Sequence, residues 1–420
     1  MFSLIPFQPG KRMVVAMLLA GFSTLGHSLT FDEALRLAQA DAPQLKAREE
    51  DAAAAQSNSL PAGELPDPKL ELGIDNLPIS GPDRYSVSRD FMTMRRIGVM
   101  QEFPNGAKRE ARIAVAQSKV AVAEAQTRIT RLTVLREAAI AWIARASVEQ
   151  ALVRMDDLRA ENRLLDSAVK AMLAGGKGTP TDAVMPRQEA ALIEDRADEL
   201  RTRREQAIAA LKRWIGAAAE EPLQGTSPDW PISHDVLAHS LHRHPELTGF
   251  DSQERMLDAE IGEAQAEKRP DWALELAYQQ RGPQFSDMVS LQMSFDLPIF
   301  PGSRQDPKIA AKRAERAGLD AEREATLREH AAMLESDLAE HQRLANTVKR
   351  QREVLLPLAD EKVELAMAAW CGGKGSLAEV IAARRERIDT ELKVIELEGQ
   401  RRQVAARLYY AYGDHPGEQQ

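Results

Sequence analysis

Residues 174–184, AGGKGTPTDAV, are written again at 371–380 as CGGKGSLAEV. A repeat must be sought before motifs, because missing one misreads the whole architecture. Three more blocks recur in the same order. Residues 32–45 (DEALRLAQADAPQL) match 234–247 (HDVLAHSLHRHPEL), 65–74 (LPDPKLELGI) match 269–278 (RPDWALELAY), and 97–104 (IGVMQEFP) match 291–298 (LQMSFDLP). One structural unit is therefore written twice with a period near 200, over 29–232 and 233–413, followed by a short tail at 414–420.

Each copy opens with a short and a medium helix, expected over about 32–60 and 234–268, and continues with two extended segments. A very long helix follows, about 107–173 and 308–370, then a glycine turn and a returning helix of about 35 residues. At 1.5 Å per residue each long helix reaches on the order of 100 Å. Leu327, Ala331, Leu334, Leu338, His341, Ala345 and Val348 hold the 4-3 spacing of a coiled-coil seam, and Leu158, Leu165, Val169 and Met172 form a similar stripe. Ile381, Ile388 and Ile395 carry a heptad down the returning helix. Pro357 removes one hydrogen bond and is expected to bend the second rod, the alternative being a break into two helices.

The extended segments alternate. Val289, Leu291, Met293, Phe295 and Leu297 stand against Ser290, Gln292, Ser294 and Asp296. Trp272, Leu274, Leu276 and Tyr278 stand against Ala273, Glu275 and Ala277, and Leu70, Leu72 and Ile74 against Glu71, Gly73 and Asp75. The fourth segment is less regular, with Ile97 and Val99 on one side and Arg96, Gly98, Met100 and Glu102 on the other. A half-buried soluble sheet would show the same pattern. Strands of about 9–11 residues also suit a membrane, but lipid tolerates no unpaired sheet edge. Closure then needs other chains: two copies make a filled eight-stranded barrel, three a hollow twelve-stranded one. In the hollow case Glu71, Asp75, Glu102, Glu275, Ser290, Gln292 and Asp296 line water.

Composition agrees with an exported helical protein. Of 420 residues, 44% are hydrophobic, 28% charged and 5% aromatic, with one cysteine and a formal charge of −9. A disulfide framework and a paired-cysteine zinc site are excluded, and an acidic balance gives no reason to expect nucleic-acid binding. Lys11 and Arg12 precede an apolar run over 14–25 that ends in Gly26-His27-Ser28, the pattern of a secretory signal over 1–28. No cysteine follows the run, so no N-terminal lipid anchor is expected, and no other run approaches the length of a helical membrane span. The Gly-Gly-Lys-Gly turns lack the spacing and the preceding strand of a nucleotide-binding loop. As hairpin tips they place Asp182 and Glu379 in the first turn of a helix, where an acid caps it. No nucleophile–base pair or ligand set marks an enzyme, and no cofactor is expected. His239 and His242, three apart on a helix, are positioned to share a metal, and Met92, Met94 and Met100 offer thioethers suited to Cu(I). An exposed helix and an apolar filler are the plainer readings.

With these residues together, the chain resembles the TolC-type outer membrane factors over nearly all of the mature sequence. The resemblance rests on the duplicated plan, on the strand end Gln101-Glu102-Phe103-Pro104 entering a helix, and on the tips. The stretch Trp370 to Val380 is similar to the family's Tyr-x-x-Gly-Lys-x-Ser-x-x-(Asp/Glu)-Val signature, with Trp370 and Leu173 where the family usually has Tyr. The resemblance implies a homotrimer with a 12-stranded outer membrane β-barrel, four strands per chain, above a long periplasmic α-barrel. It implies an exit duct of a tripartite efflux system, with a periplasmic adaptor and an inner-membrane RND pump as partners. Lys177, Asp182, Lys374 and Glu379 would then be gate and docking residues. Residues 75–78 and 91–96 are similar to the copper/silver and cobalt–zinc–cadmium exporters, which implies metal cations as cargo. Two other readings stay open: a periplasmic coiled-coil adaptor or scaffold without a pore, and a duct for drugs or secreted proteins.

Overall fold

The structure, a computed structural model, describes residues 28–413. The signal expected over 1–28 thus lies, but for Ser28, outside the described residues, as does the tail at 414–420.

The first repeat opens with α1 (Phe31–Asp41) and α2 (Pro43–Ser59). Thr30 caps α1 by accepting from the Glu33 amide at 3.2 Å, and Pro43 ends the run because it cannot continue the ladder but can open the next helix. Strands β1 (Lys69–Asp75) and β2 (Met94–Phe103) follow. Helix α3 (Gly106–Ala174) then runs unbroken for 69 residues, about 100 Å long. Its start is tied to the other repeat: the Asn105 amide donates to Asp271 at 2.7 Å, and Lys108 reaches the same carboxylate at 2.7 Å. Helix α4 (Met185–Ile215) returns from the tip.

The second repeat has α5 (His234–Ser240), a 3-10 turn Leu241–Arg243, α6 (Pro245–Ala266), β3 (Trp272–Gln280) and β4 (Met288–Phe295). Its outgoing rod is α7 (Gln305–Arg350) and α8 (Leu356–Cys371), joined by a π-helical turn Gln351–Leu355, and α9 (Leu377–Tyr412) returns. Neither a simple bend nor a break describes Pro357. Its ring would strike the carbonyl four residues back and it offers no amide, so the turn before it widens while the helix carries on.

Strands β2 and β3, with 10 and 9 residues, have the expected length, whereas β1 and β4, with 7 and 8, are shorter. They form one antiparallel meander in the order β1-β2-β3-β4. The outer edges of β1 and β4 carry no partner strand among the described residues.

The hairpins lie side by side rather than apart, with α3 packed against both α4 and α9, and α9 against α7 and α8. Gly399 makes the closest approach: a Cβ there would stand 2.5 Å from Ser147 Oγ, which donates to the Ile395 carbonyl at 3.1 Å. Below that crossing, Arg154 reaches Glu391 at 2.8 Å and Arg387 reaches Glu161 at 2.6 Å. Four apolar clusters follow the rods. One around Trp142, Trp214 and Trp230 fills the base of the first repeat, and one around Leu334, Leu344, Val348 and Leu408 fills the base of the second. The other two, at Met155, Leu158, Ile193 and Ile388 and at Leu165, Val169, Trp370 and Ile381, join both hairpins midway and at the tip.

Candidate functional site: the sheet, the tip and a buried histidine pair

The register sorts the strand residues into two faces. Leu70, Val99, Leu276 and Leu291 form one cross-strand row, and Leu72, Ile97, Tyr278 and Val289 the next. All eight side chains are exposed. At the helical end, Phe103, Trp272 and Phe295 share a row, with the first two rings stacked at 4.1 Å. An aromatic row bounding an apolar band is the pattern of a strand face at a lipid interface. From Trp272 to Tyr278 the band is roughly 20 Å along the strand.

The opposite face is polar. Glu71, Gly98, Ala277 and Ser290 make one row, and Lys69, Met100, Glu275 and Gln292 the next. Arg96 pairs with Glu275 and lies 3.5 Å from Glu71, while Lys69 pairs with Glu102. Glu275 is buried beneath that arginine, and a Cβ on Gly98 would meet its carboxylate at 3.1 Å. Ser290 donates to Gln279 at 3.0 Å. Asp75 closes β1 opposite Met94, whereas Asp296 follows the end of β4, its amide donating to the Asp271 carbonyl at 2.8 Å.

The methionines do not converge. Met92 precedes β2, Met94 opens it and Met100 lies six residues further, roughly 20 Å along the strand. His239 and His242 fall on either side of the change from α5 to the 3-10 turn, and both are exposed. The His239 ring instead bonds the Asp235 carbonyl at 2.6 Å through Nδ1.

At the tip the acids act locally. Asp182 accepts from the Thr179 amide at 2.7 Å, and Glu379 from the Ser376 amide at 3.0 Å while Ser376 Oγ accepts from the Glu379 amide. Both are capping boxes. Gly176 and Gly373 take positive φ, 74° and 69°, as the reversals require. Lys177 and Lys374 are exposed and form no ion pair among the described residues. Trp370 is buried among Leu165, Val169, Leu377, Val380 and Ile381, and Cys371 is exposed.

Sequence reasoning groups His244 with His234, His239 and His242 and passes over Glu246 and His330, which meet it at the base of the second repeat. His330 lies with Nε2 2.8 Å from Glu246 and Nδ1 3.2 Å from the Tyr412 hydroxyl. Burial, with His330 beside it, pushes His244 down to about 4. The hydrogen bond from His330 lowers Glu246, and burial raises Tyr412 to about 12. The only signal in the sequence was a His-Pro-Glu run at a helix start, and its third partner lies 84 residues beyond Glu246.

A duplicated pair of long helical hairpins carrying a four-stranded sheet, apolar on one face and polar on the other, is the fold of the TolC-type outer membrane efflux channels. Among solved structures, a membrane protein from Pseudomonas aeruginosa superposes with a TM-score of 0.77 at 18% identity, over 91% of this chain and 92% of that one. The Campylobacter jejuni CmeC outer membrane channel gives 0.75 at 12% identity, over 91% and 85%. Among characterised proteins, the nickel and cobalt resistance protein CnrC of Cupriavidus metallidurans is 24% identical over 299 residues, 70% of each chain. No model of a known protein family matches the chain. No helix among the described residues is long and apolar enough to cross a membrane.

Proposed function

We propose that this chain is one third of a passive exit duct in the bacterial outer membrane. Three copies join β4 of one to β1 of the next and close a 12-stranded barrel, and their hairpins extend it through the periplasm. The two repeats, 29–232 and 233–413, contribute equivalent sixths of wall in each layer. The observation that carries this reading is the sheet itself: a face of mostly exposed apolar side chains between two edges without partner strands among the described residues. Such a sheet is stable in lipid only when the edges are paired. The polar face then lines water, with Glu71, Asp75, Glu102, Glu275, Ser290, Gln292 and Asp296 along it or at its rim.

The duct makes and breaks no bond. An inner-membrane RND pump and a periplasmic adaptor supply the cargo and the energy. At the tip, Asp182 and Glu379 hold the turns in shape, and Lys177 and Lys374 present unpaired charge to the adaptor. The cargo we infer is a metal cation. The similarity to a nickel and cobalt resistance protein supports this, as does the excess of acids over bases on the polar face.

Two measurements test the reading. Purified protein in planar bilayers is expected to give stepwise conductance and to cross-link as a trimer; a stable monomer in buffer without conductance overturns the duct. Cells carrying the cognate pump and adaptor are expected to lose nickel, cobalt, copper, silver, zinc or cadmium tolerance on deletion of the chain. Unchanged tolerance to all six overturns the metal cargo and leaves the duct standing.

A further inference from the structure

The duct reading makes no use of the buried histidines. His244 caps the N-terminus of α6, Glu246 stands in its first turn and His330 projects from α7. One ligand atom from each lies within 4.8 Å of the other two. The imidazoles are only 7% and 5% exposed, with ring centroids 4.1 Å apart. Two imidazoles held close in a core, tilted by 42° to one another, with a carboxylate at their open side, offer a ligand set of three.

The tautomer of His330 is set by Tyr412, whose one proton has two acceptors at 3.2 Å, the His330 carbonyl and His330 Nδ1. When the hydroxyl donates to Nδ1, Nε2–H donates to Glu246 Oε2 at 2.8 Å. When it donates to the carbonyl, its oxygen accepts Nδ1–H and Nε2 turns a lone pair to the carboxylate, an arrangement that a metal cation joins. A ligand histidine whose other nitrogen is held by a partner of this kind is a recurrent feature of metal sites. His244 Nδ1 accepts from the Glu246 amide at 3.2 Å, which uses the lone pair of the neutral ring, so a cation at His244 displaces this long cap bond. Arg136, the nearest cation acting on His244, is paired with Glu137 at 3.1 Å. Nor does the architecture demand these groups: the first repeat builds the aligned positions with Ala42 and Gln44.

We propose that His244, Glu246 and His330 bind a resident divalent cation of borderline softness, of the Zn2+, Co2+ or Ni2+ class. Imidazole and carboxylate together suit these ions, and the half-exposed side of Glu246 leaves room for water as a fourth ligand. The ion would staple α6 to α7 and, through Tyr412, to the end of α9. It sits between helices and away from the polar face of the sheet, so it is distinct from whatever cargo passes.

The test uses the full-length protein in detergent, stripped with a chelator and titrated with Co2+ alone. Expected is one equivalent per chain with the intense visible bands of low-coordinate Co2+, and a rise in melting temperature on loading. H330A, and E246Q as the variant least disturbing to the core, should each weaken binding at least tenfold, while H239A/H242A should leave it unchanged. Absence of the bands, or Co2+ binding in E246Q and H330A equal to that of the parent, overturns the site. Conductance is read separately, so failure of the site and failure of the duct are distinguishable.

Discussion

Replacing Leu276 by Arg separates a lipid-facing sheet from a water-facing one. Leu276 lies mid-strand in β3, between Val99 and Leu291, in the row that crosses all four strands. It is 55% exposed, and its row neighbours Leu70, Val99 and Leu291 are exposed at 64%, 50% and 69%. If water bathes this face, an arginine replaces one exposed side chain by another, and stability changes by no more than ~0.5 kcal/mol. If lipid covers it, an arginine near the midplane of a β-barrel costs ~2–4 kcal/mol per chain. With about 1.4 kcal/mol per decade, that is roughly 30- to 700-fold in the folding equilibrium. The assay is denaturant titration of folding into phospholipid vesicles, followed by gel mobility without boiling. Ser290→Arg is the control, because Ser290 lies one row away on the polar face, beside Ala277 and within reach of Gln279. L276R folding into vesicles as well as the parent, or S290R costing more than L276R, would refute the assignment of the faces.

Trp370→Ala is expected to cost ~3–5 kcal/mol, a large-to-small change in the cluster that joins the two tips. The loss should appear in hydrogen exchange as deprotection of amides around 165–173 and 377–381, with the base of the rods unaffected. Asp182→Ala removes the acceptor of the Thr179 amide and should destabilise that turn by ~1 kcal/mol, read as about fivefold faster exchange of that amide. His341 contributes to the pH dependence beside His244. Burial and Arg401 hold it below its ordinary value, with Asp229 and Glu398 opposing, and its Nε2 is buried without a partner. As pH falls below about 6.5, the unfolded chain takes up a proton that the folded one resists, so stability falls with acid. His341→Leu should flatten that part of the stability–pH curve, and an unchanged slope would show that His341 does not contribute.

Much of this was legible because it depends on periodicity. The alternation from Val289 to Phe295 needs only a period of two, and the seam from Leu327 to Val348 one of 3.5. The glycine turns announced the tips. What stayed hidden depends on proximity between distant residues. Nothing in the spacing says that Asp271 clamps Asn105, that Arg96 covers Glu275, or that Gly399 admits Ser147. Asp182 and Glu379 show the remaining difficulty: an acid three residues after a Thr or Ser reads equally as a cap or as a charged rim, and only the hydrogen bonds show that both cap. His239 and His242 were noticed because they are close in sequence, whereas His244 and His330 are close in space.

The widened turn before Pro357 also corrects the phase of the rod. Upstream, the buried stripe advances by sevens through Leu334, His341 and Val348. Continued unchanged it would arrive at 355, 362 and 369, yet the covered positions are Leu356, Val363 and Trp370. One surplus residue has been absorbed, equivalent to about 100° of rotation in an α-helix. Without that offset the indole of Trp370 would swing out of the tip cluster. The outgoing rod packs on α9 both before and after the offset, and the five residues 351–355 are where its covered face is reset to reach the tip cluster.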